Sequence, residues 1–188
     1  MNRKQLDAML PEGVHSFDEW EEKIPKYQTP LMKRLDSLNL AEHPGNWTRE
    51  ALYEIVLWEL NRFPEIGDAL FAELGEAAAI PPGEHRQGKE LLQKLLQCQN
   101  IGLTMATAIL RFINPATFQT LNARNGHVVL GDAPYPSSSS VNVKYLEECA
   151  DFYFRYLDEL RRLTGEGFDF RYADRLLYQL DKARGRNL

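Results

Sequence analysis

The residues best suited to chemistry form a short turn between two predicted helices, at Asn100, Ile101 and Gly102. Such a turn directs backbone N–H groups outward, and with the positive end of the following helix they suit a phosphate oxygen. Asn is the residue other than Gly that best tolerates the positive φ that such turns need. We expect Ile101 to fill the space between the helices and Gly102 to allow close backbone approach. The alternative is an ordinary connection that follows a helix C-cap.

Downstream of the turn, an Asn114-Pro115 break leads to an apolar segment that ends at Asn122 and opens another helix. Over residues 96–131 this order resembles the helix-hairpin-helix and catalytic loop of the endonuclease III-like (HhH-GPD) DNA glycosylase superfamily. Segments 52–62 and 170–182 resemble two helices of a bacterial subgroup, although Glu59 stands where that subgroup tends to have lysine. The resemblance thus extends over roughly residues 48–184.

The resemblance implies an all-α, two-lobed glycosylase-like fold with a helix-hairpin-helix at 90–113. It also implies a surface that touches DNA. The residues expected to bind DNA are Asn100, Ile101, Gly102, Thr104 and Arg124. For Arg124 a salt bridge at the rim of the cleft is an equal alternative.

Both catalytic positions implied by the resemblance hold a different residue. Thr104 stands at the position of the lysine that attacks the sugar in bifunctional members, and Asn122 stands at the position of the catalytic aspartate. Members that use water also lack the lysine, and we expect the Thr104 hydroxyl to cap the second helix. An amide has no charge to stabilise an oxocarbenium-like state, and losing such a group typically lowers the rate by at least about 10²-fold. Asn122 is nearly as good an N-cap as Asp, so the helix is expected to survive.

Three other carboxylates could take the place of the missing aspartate. Asp132 follows the helix that Asn122 begins and is expected at its far end, which makes it a poor substitute. Asp174 and Asp169 belong to the C-terminal region, where either could approach the cleft. For Asp174 an ion pair or cap that ties the last helix to the body is the preferred interpretation. Arg111 is expected to be a solvated or paired surface charge.

Composition limits the functional classes. The 188 residues suit a single compact domain, with an acidic lobe at 1–83 and a hairpin-containing lobe at 84–188. The first lobe has 8 Lys and Arg against 15 Asp and Glu, and the second has 14 against 12, so the net charge of −5 comes from the first. DNA affinity depends on phosphate contacts, so this balance permits DNA binding without requiring it. The acidic lobe also suits a basic protein partner or a DNA-mimicking surface.

Helix signals extend along most of the chain. Capping residues at Ser16, Thr29 and Thr48 each precede a helical pattern, and the third opens an amphipathic helix. Its apolar stripe consists of Leu52, Ile55, Val56 and Leu60. The helix from Ser140 to about Leu163 is rich in Tyr and Phe and is expected to lie in the core, with a base-accepting pocket as the alternative. Pro81-Pro82-Gly83 is the predicted lobe boundary.

No zinc spacing and no nucleotide-binding motif occurs, so we expect neither metal nor cofactor, and His127 is expected to be structural. The absence of a signal-like or membrane-spanning segment favours a cytoplasmic protein. The leading hypothesis is a DNA-binding protein that resembles a glycosylase and has lost catalysis. The alternatives are an active monofunctional glycosylase that uses a displaced carboxylate and a protein-interaction module on the same scaffold.

Overall fold

All regular secondary structure in the described part of the chain is helical. The computed structural model describes residues 13–15, 19, 30–60, 63–138, 140–164 and 169–183, and none of them lies in a strand. The predicted all-α class is confirmed. The α-helices in chain order are α1 Pro30–Ser37, α2 Arg49–Glu59, α3 Asp68–Glu76, α4 Lys89–Gln97, α5 Leu103–Ile113, α6 Ala123–Leu130, α7 Val143–Thr164 and α8 Ala173–Ala183. Short 3₁₀ turns lie at Pro44–Asn46, Ala77–Ala79, His85–Gly88 and Phe170–Tyr172.

The chain divides into two compact units, Met1–Phe63 and Pro64–Leu188. This division lies about twenty residues before the predicted lobe boundary at Pro81-Pro82-Gly83. The Asn114 side-chain amide donates to the carbonyls of Ala77 and Ile80 at 3.0 and 2.9 Å. These bonds attach the end of α3 to the segment that follows α5, so the prolines form a turn inside the second unit.

In the first unit, α1 and α2 pack against each other. Arg34 on α1 donates to the Glu54 carboxylate on α2 at 2.8 Å. The Thr48 hydroxyl accepts from the Ala51 N–H at 3.2 Å, which confirms the predicted N-cap of α2. The caps predicted at Ser16 and Thr29 lie outside the described residues.

The predicted apolar stripe of α2 does not form a buried core. Leu52, Val56 and Leu60 are all exposed, and Ala51 is the buried residue of this helix. The 3.6-residue period therefore predicts the helix correctly, while its apolar face stays largely open to solvent.

The core of the second unit is built around α7. Phe152, Tyr153, Phe154 and Tyr156 are buried there, so the core interpretation of this aromatic helix is confirmed. Tyr153 and Tyr156 donate through their hydroxyls to the carbonyls of Gln119 and Thr120 at 3.0 and 3.2 Å. These bonds fix the segment just before Asn122 against α7. The helix begins at Val143 rather than Ser140, because the Asn142 side chain accepts from the Tyr145 N–H.

No helix in the described part of the chain is both long and apolar enough to span a membrane.

Candidate functional site

The hairpin consists of α4, the turn at 98–102 and α5. Asn100 adopts φ +63°, the left-handed conformation expected of it, and its side chain is exposed. Ile101 is buried between the helices, as predicted. Ala106 on α5 is fully buried, so its small side chain permits close packing. The turn therefore directs its polar residues outward and its apolar residue inward.

Gly102 is the N-cap of α5 and is exposed. Its φ of −95° and ψ of 177° are open to any residue, and a Cβ added there would contact nothing within 4 Å. No close approach within the protein therefore requires a glycine at this position. No side chain caps α5, and the N–H groups of its first turn have no partner within the helix. A helix end of this kind is a favourable position for an anion.

Thr104 does not provide the cap of α5 that was expected of it, and Gly102 occupies the N-cap position. Its hydroxyl lies 3.1 Å from the Tyr135 hydroxyl, which belongs to the loop after α6. The Tyr135 ring packs edge-on against Phe152, with 5.7 Å between the ring centroids, and burial raises the pKa of its hydroxyl. The position implied for a catalytic lysine is therefore occupied by a hydroxyl in contact with a tyrosine.

Thr107 connects the hairpin to the segment that ends at Asn122. Its buried hydroxyl accepts from the Leu121 N–H at 3.0 Å and donates to the Thr104 carbonyl at 3.1 Å. Nothing in the sequence marks this residue, because a threonine inside an apolar helical pattern has no distinguishing signal.

Asn122 is the N-cap of α6, as predicted. Its side-chain oxygen accepts from the Asn125 N–H at 2.9 Å. Asn125 is almost fully buried, and its amide donates to the Thr120 carbonyl at 3.2 Å. Asn122 therefore caps α6 with an amide oxygen and brings no charge to this position.

Asn122 lies in the wall of a pocket between α6 and α8. The pocket has a volume of about 280 Å³ and is lined by Thr120, Asn122, Asn125, Asp174, Arg175, Tyr178 and Gln179. Asp174 is the carboxylate among them. Of the two C-terminal carboxylates that could approach Asn122, this one therefore reaches the pocket. The other, Asp169, is exposed and binds Arg171 at 2.7 Å.

The Asp174 carboxylate is already engaged by two groups. Arg111 on α5 places its Nε 3.5 Å from Asp174 Oδ2, and the Arg175 N–H donates to Oδ1 at 2.7 Å. Both side chains of this ion pair are more than nine-tenths buried. The predicted ion pair of Asp174 is thus confirmed. Arg111 is paired, as one of its two interpretations had it, but its expected place at the surface is wrong, because α8 covers that arginine.

Gln119 is a further positioning residue that sequence analysis missed. Its side-chain oxygen accepts from the Asp174 N–H at 3.3 Å, and its amide donates to the Pro115 carbonyl at 2.9 Å. It is fully buried and joins the start of α8 to the segment before Asn122. These partners are 55 and 4 residues away, and only folding brings the distant one into reach.

The remaining candidates lie at the edge of this region. The Arg124 guanidinium carbon is 6.0 Å from the centre of the Tyr178 ring, so it approaches a residue that lines the pocket. Asp132 is exposed beyond the far end of α6, where its carboxylate lies 3.7 Å from His127 Nδ1. Among the described residues, no group of three His, Cys, Asp or Glu side chains is arranged to hold a metal.

Comparisons with known proteins give no relative: no family model, no curated protein and no solved structure matches this chain.

Proposed function

We propose that this chain is a DNA-binding protein that grips the phosphate backbone through its hairpin and does not excise bases. The observation that supports binding is the turn at 98–102, with Asn100 in the left-handed region and Gly102 as an exposed N-cap. These features present backbone N–H groups, which suit phosphate oxygens whatever the base sequence.

The composition of the pocket supports the lack of excision. Asn122 is uncharged, and Asp174 contributes a negative charge that Arg111 balances inside the protein. Freeing that carboxylate for a reaction would leave a buried arginine without its partner, which costs several kcal/mol. This pocket therefore has no available negative group to stabilise an oxocarbenium ion.

A fluorescence anisotropy titration on short duplexes at low salt tests the binding. We expect Gly102→Glu to weaken affinity at least about tenfold, because a carboxylate at the turn repels phosphate. Gly67→Glu is the matched control: Gly67 is likewise an exposed N-cap with no side-chain cap and with open space around it. Absence of duplex binding by the unmodified protein, or equal affinities of the two variants, would refute the proposal.

A second candidate, an active monofunctional glycosylase, is favoured by one observation, the presence of Asp174 and Asn122 in the same pocket. In that case the displaced carboxylate would stabilise the positive charge on the sugar. Incubation with a panel of duplexes that contain damaged bases decides between the two. Excision that is abolished by Asp174→Asn, in a variant that still binds duplex DNA, would establish this candidate in place of the first.

A further inference from the structure

An exposed aromatic surface lies where α8 begins. Phe112 at the end of α5 is 72% exposed, and Tyr172 just before α8 is 51% exposed. Leu176, one turn further along, is also 51% exposed. Large apolar side chains with this much exposure indicate a contact surface when they occur together.

Arg111 connects Phe112 to the backbone just before Tyr172. Its guanidinium carbon is 4.9 Å from the centre of the Phe112 ring, and its Nη2 donates to the Arg171 carbonyl at 3.2 Å. Phe112 therefore lies beside the 3₁₀ turn that contains Tyr172, although 60 residues separate them. We call the surface formed by Phe112, Arg171, Tyr172, Arg175 and Leu176 the aromatic face.

The charged side chains of the aromatic face leave one positive charge that no described carboxylate balances, in a chain whose net charge is −5. Arg171 binds Asp169, and Arg111 is paired with the buried Asp174. Arg175 is exposed, and no described carboxylate forms an ion pair with its guanidinium. One positive charge next to the rings is thus available to an anionic partner.

We infer that the aromatic face binds single-stranded DNA. This inference rests on the proposed function and adds a second class of DNA ligand to it. Rings on a protein surface stack on the flat faces of bases, and in a duplex those faces are covered by neighbouring base pairs. An unpaired strand exposes base faces and phosphates at the same time. Tyr172 and Phe112 provide stacking surfaces, and Arg175 provides a phosphate contact. The positive charge favours this polyanion over a neutral apolar partner.

The test measures binding to labelled oligothymidine longer than the ~16 nucleotides that a small domain covers. We expect Tyr172→Ala and Phe112→Ala each to lower the affinity roughly five- to tenfold or more, as loss of one stacked base does. Arg175→Gln is expected to lower the affinity. It should also reduce the slope of log affinity against log salt concentration by the amount expected for about one phosphate contact. The matched controls are Tyr53→Ala, which removes a ring that is 57% exposed on the first unit, and Arg49→Gln.

The outcomes separate this inference from the proposed function. Loss of oligothymidine binding in the face variants, with duplex binding retained, supports the aromatic face. Gly102→Glu should weaken duplex binding and leave oligothymidine binding unchanged. The two sets of variants therefore test the hairpin and the aromatic face separately. The inference is overturned if the unmodified protein does not bind oligothymidine at low salt, if the face variants match their controls, or if only RNA or a protein partner binds there.

Discussion

The hairpin and the pocket beside Asn122 differ in which atoms form them, backbone atoms in the first and side-chain atoms in the second. The hairpin is defined by its backbone: Asn100 holds the left-handed conformation of the turn, and no side chain caps the start of α5. The pocket is defined by side chains: the Asn122 amide caps α6 without a charge, and the Asp174 carboxylate is paired with Arg111. A site made of backbone groups therefore tolerates substitutions better than a site made of side-chain charges, because one substitution can remove a charge. Three predictions test this difference.

The largest expected effect comes from breaking the buried ion pair below the pocket. Arg111→Met removes the partner of Asp174 and leaves a buried carboxylate, which should lower the free energy of unfolding by about 3–5 kcal/mol. Urea denaturation measures the loss. The double variant with Asp174→Leu should recover much of it, because neither buried charge remains. A single-variant loss below about 1 kcal/mol would show that the pair does not hold Asp174, and the pocket would then contain an available carboxylate.

A smaller effect is expected at the connection between the two regions. Thr107→Val keeps the volume and removes the hydroxyl, which leaves the buried Leu121 N–H without its acceptor. The expected loss in unfolding free energy is about 1–3 kcal/mol. Duplex affinity should be unchanged in conditions where the variant is folded, because the turn at 98–102 makes no use of this bond. Weaker duplex binding by the folded variant would mean that the hairpin depends on the pocket segment.

The smallest effect is expected at Asn122 itself. Asn122→Ala removes the N-cap of α6 and should cost about 1 kcal/mol, whereas Asn122→Asp should leave stability within a few tenths of a kcal/mol. Thermal or urea denaturation of both variants checks this order. Duplex binding should persist in each, since neither change touches the turn. Equal stability of all three proteins would contradict the role of Asn122 as a cap.

Local patterns predicted the local features of this chain. The caps at Thr48 and Asn122, the left-handed Asn100 and the inward Ile101 each depend on residues within a few positions, so spacing and residue type suffice. Arg111 was predicted at the surface because its helical position does not show that α8 covers it. Gln119, Thr107 and Tyr135 were not identified, because the atoms they bind are distant in sequence or unmarked by any motif.

The amphipathic helix α2 shows the same limit from another side. Its period predicts a helix and an apolar face, and the helix is present, but the face remains exposed. Periodicity determines which residues share a face, whereas burial depends on what packs against it. The division of the chain at Phe63 and Pro64 is likewise a property of contacts and not of the proline pair that suggested a boundary.

The amino-acid sequence by itself determined the helices, the turn between α4 and α5 and the uncharged N-cap at Asn122, because these follow from backbone preferences and residue chemistry over short distances. Only the tertiary structure decided that Asp174 shares a pocket with Asn122, that Arg111 pairs with it, and that Phe112 lies beside the turn that contains Tyr172. Those facts require residues about 50 to 60 positions apart to meet. Such meetings depend on how whole helices pack, and packing is set by the combined shape of many side chains and not by any one motif.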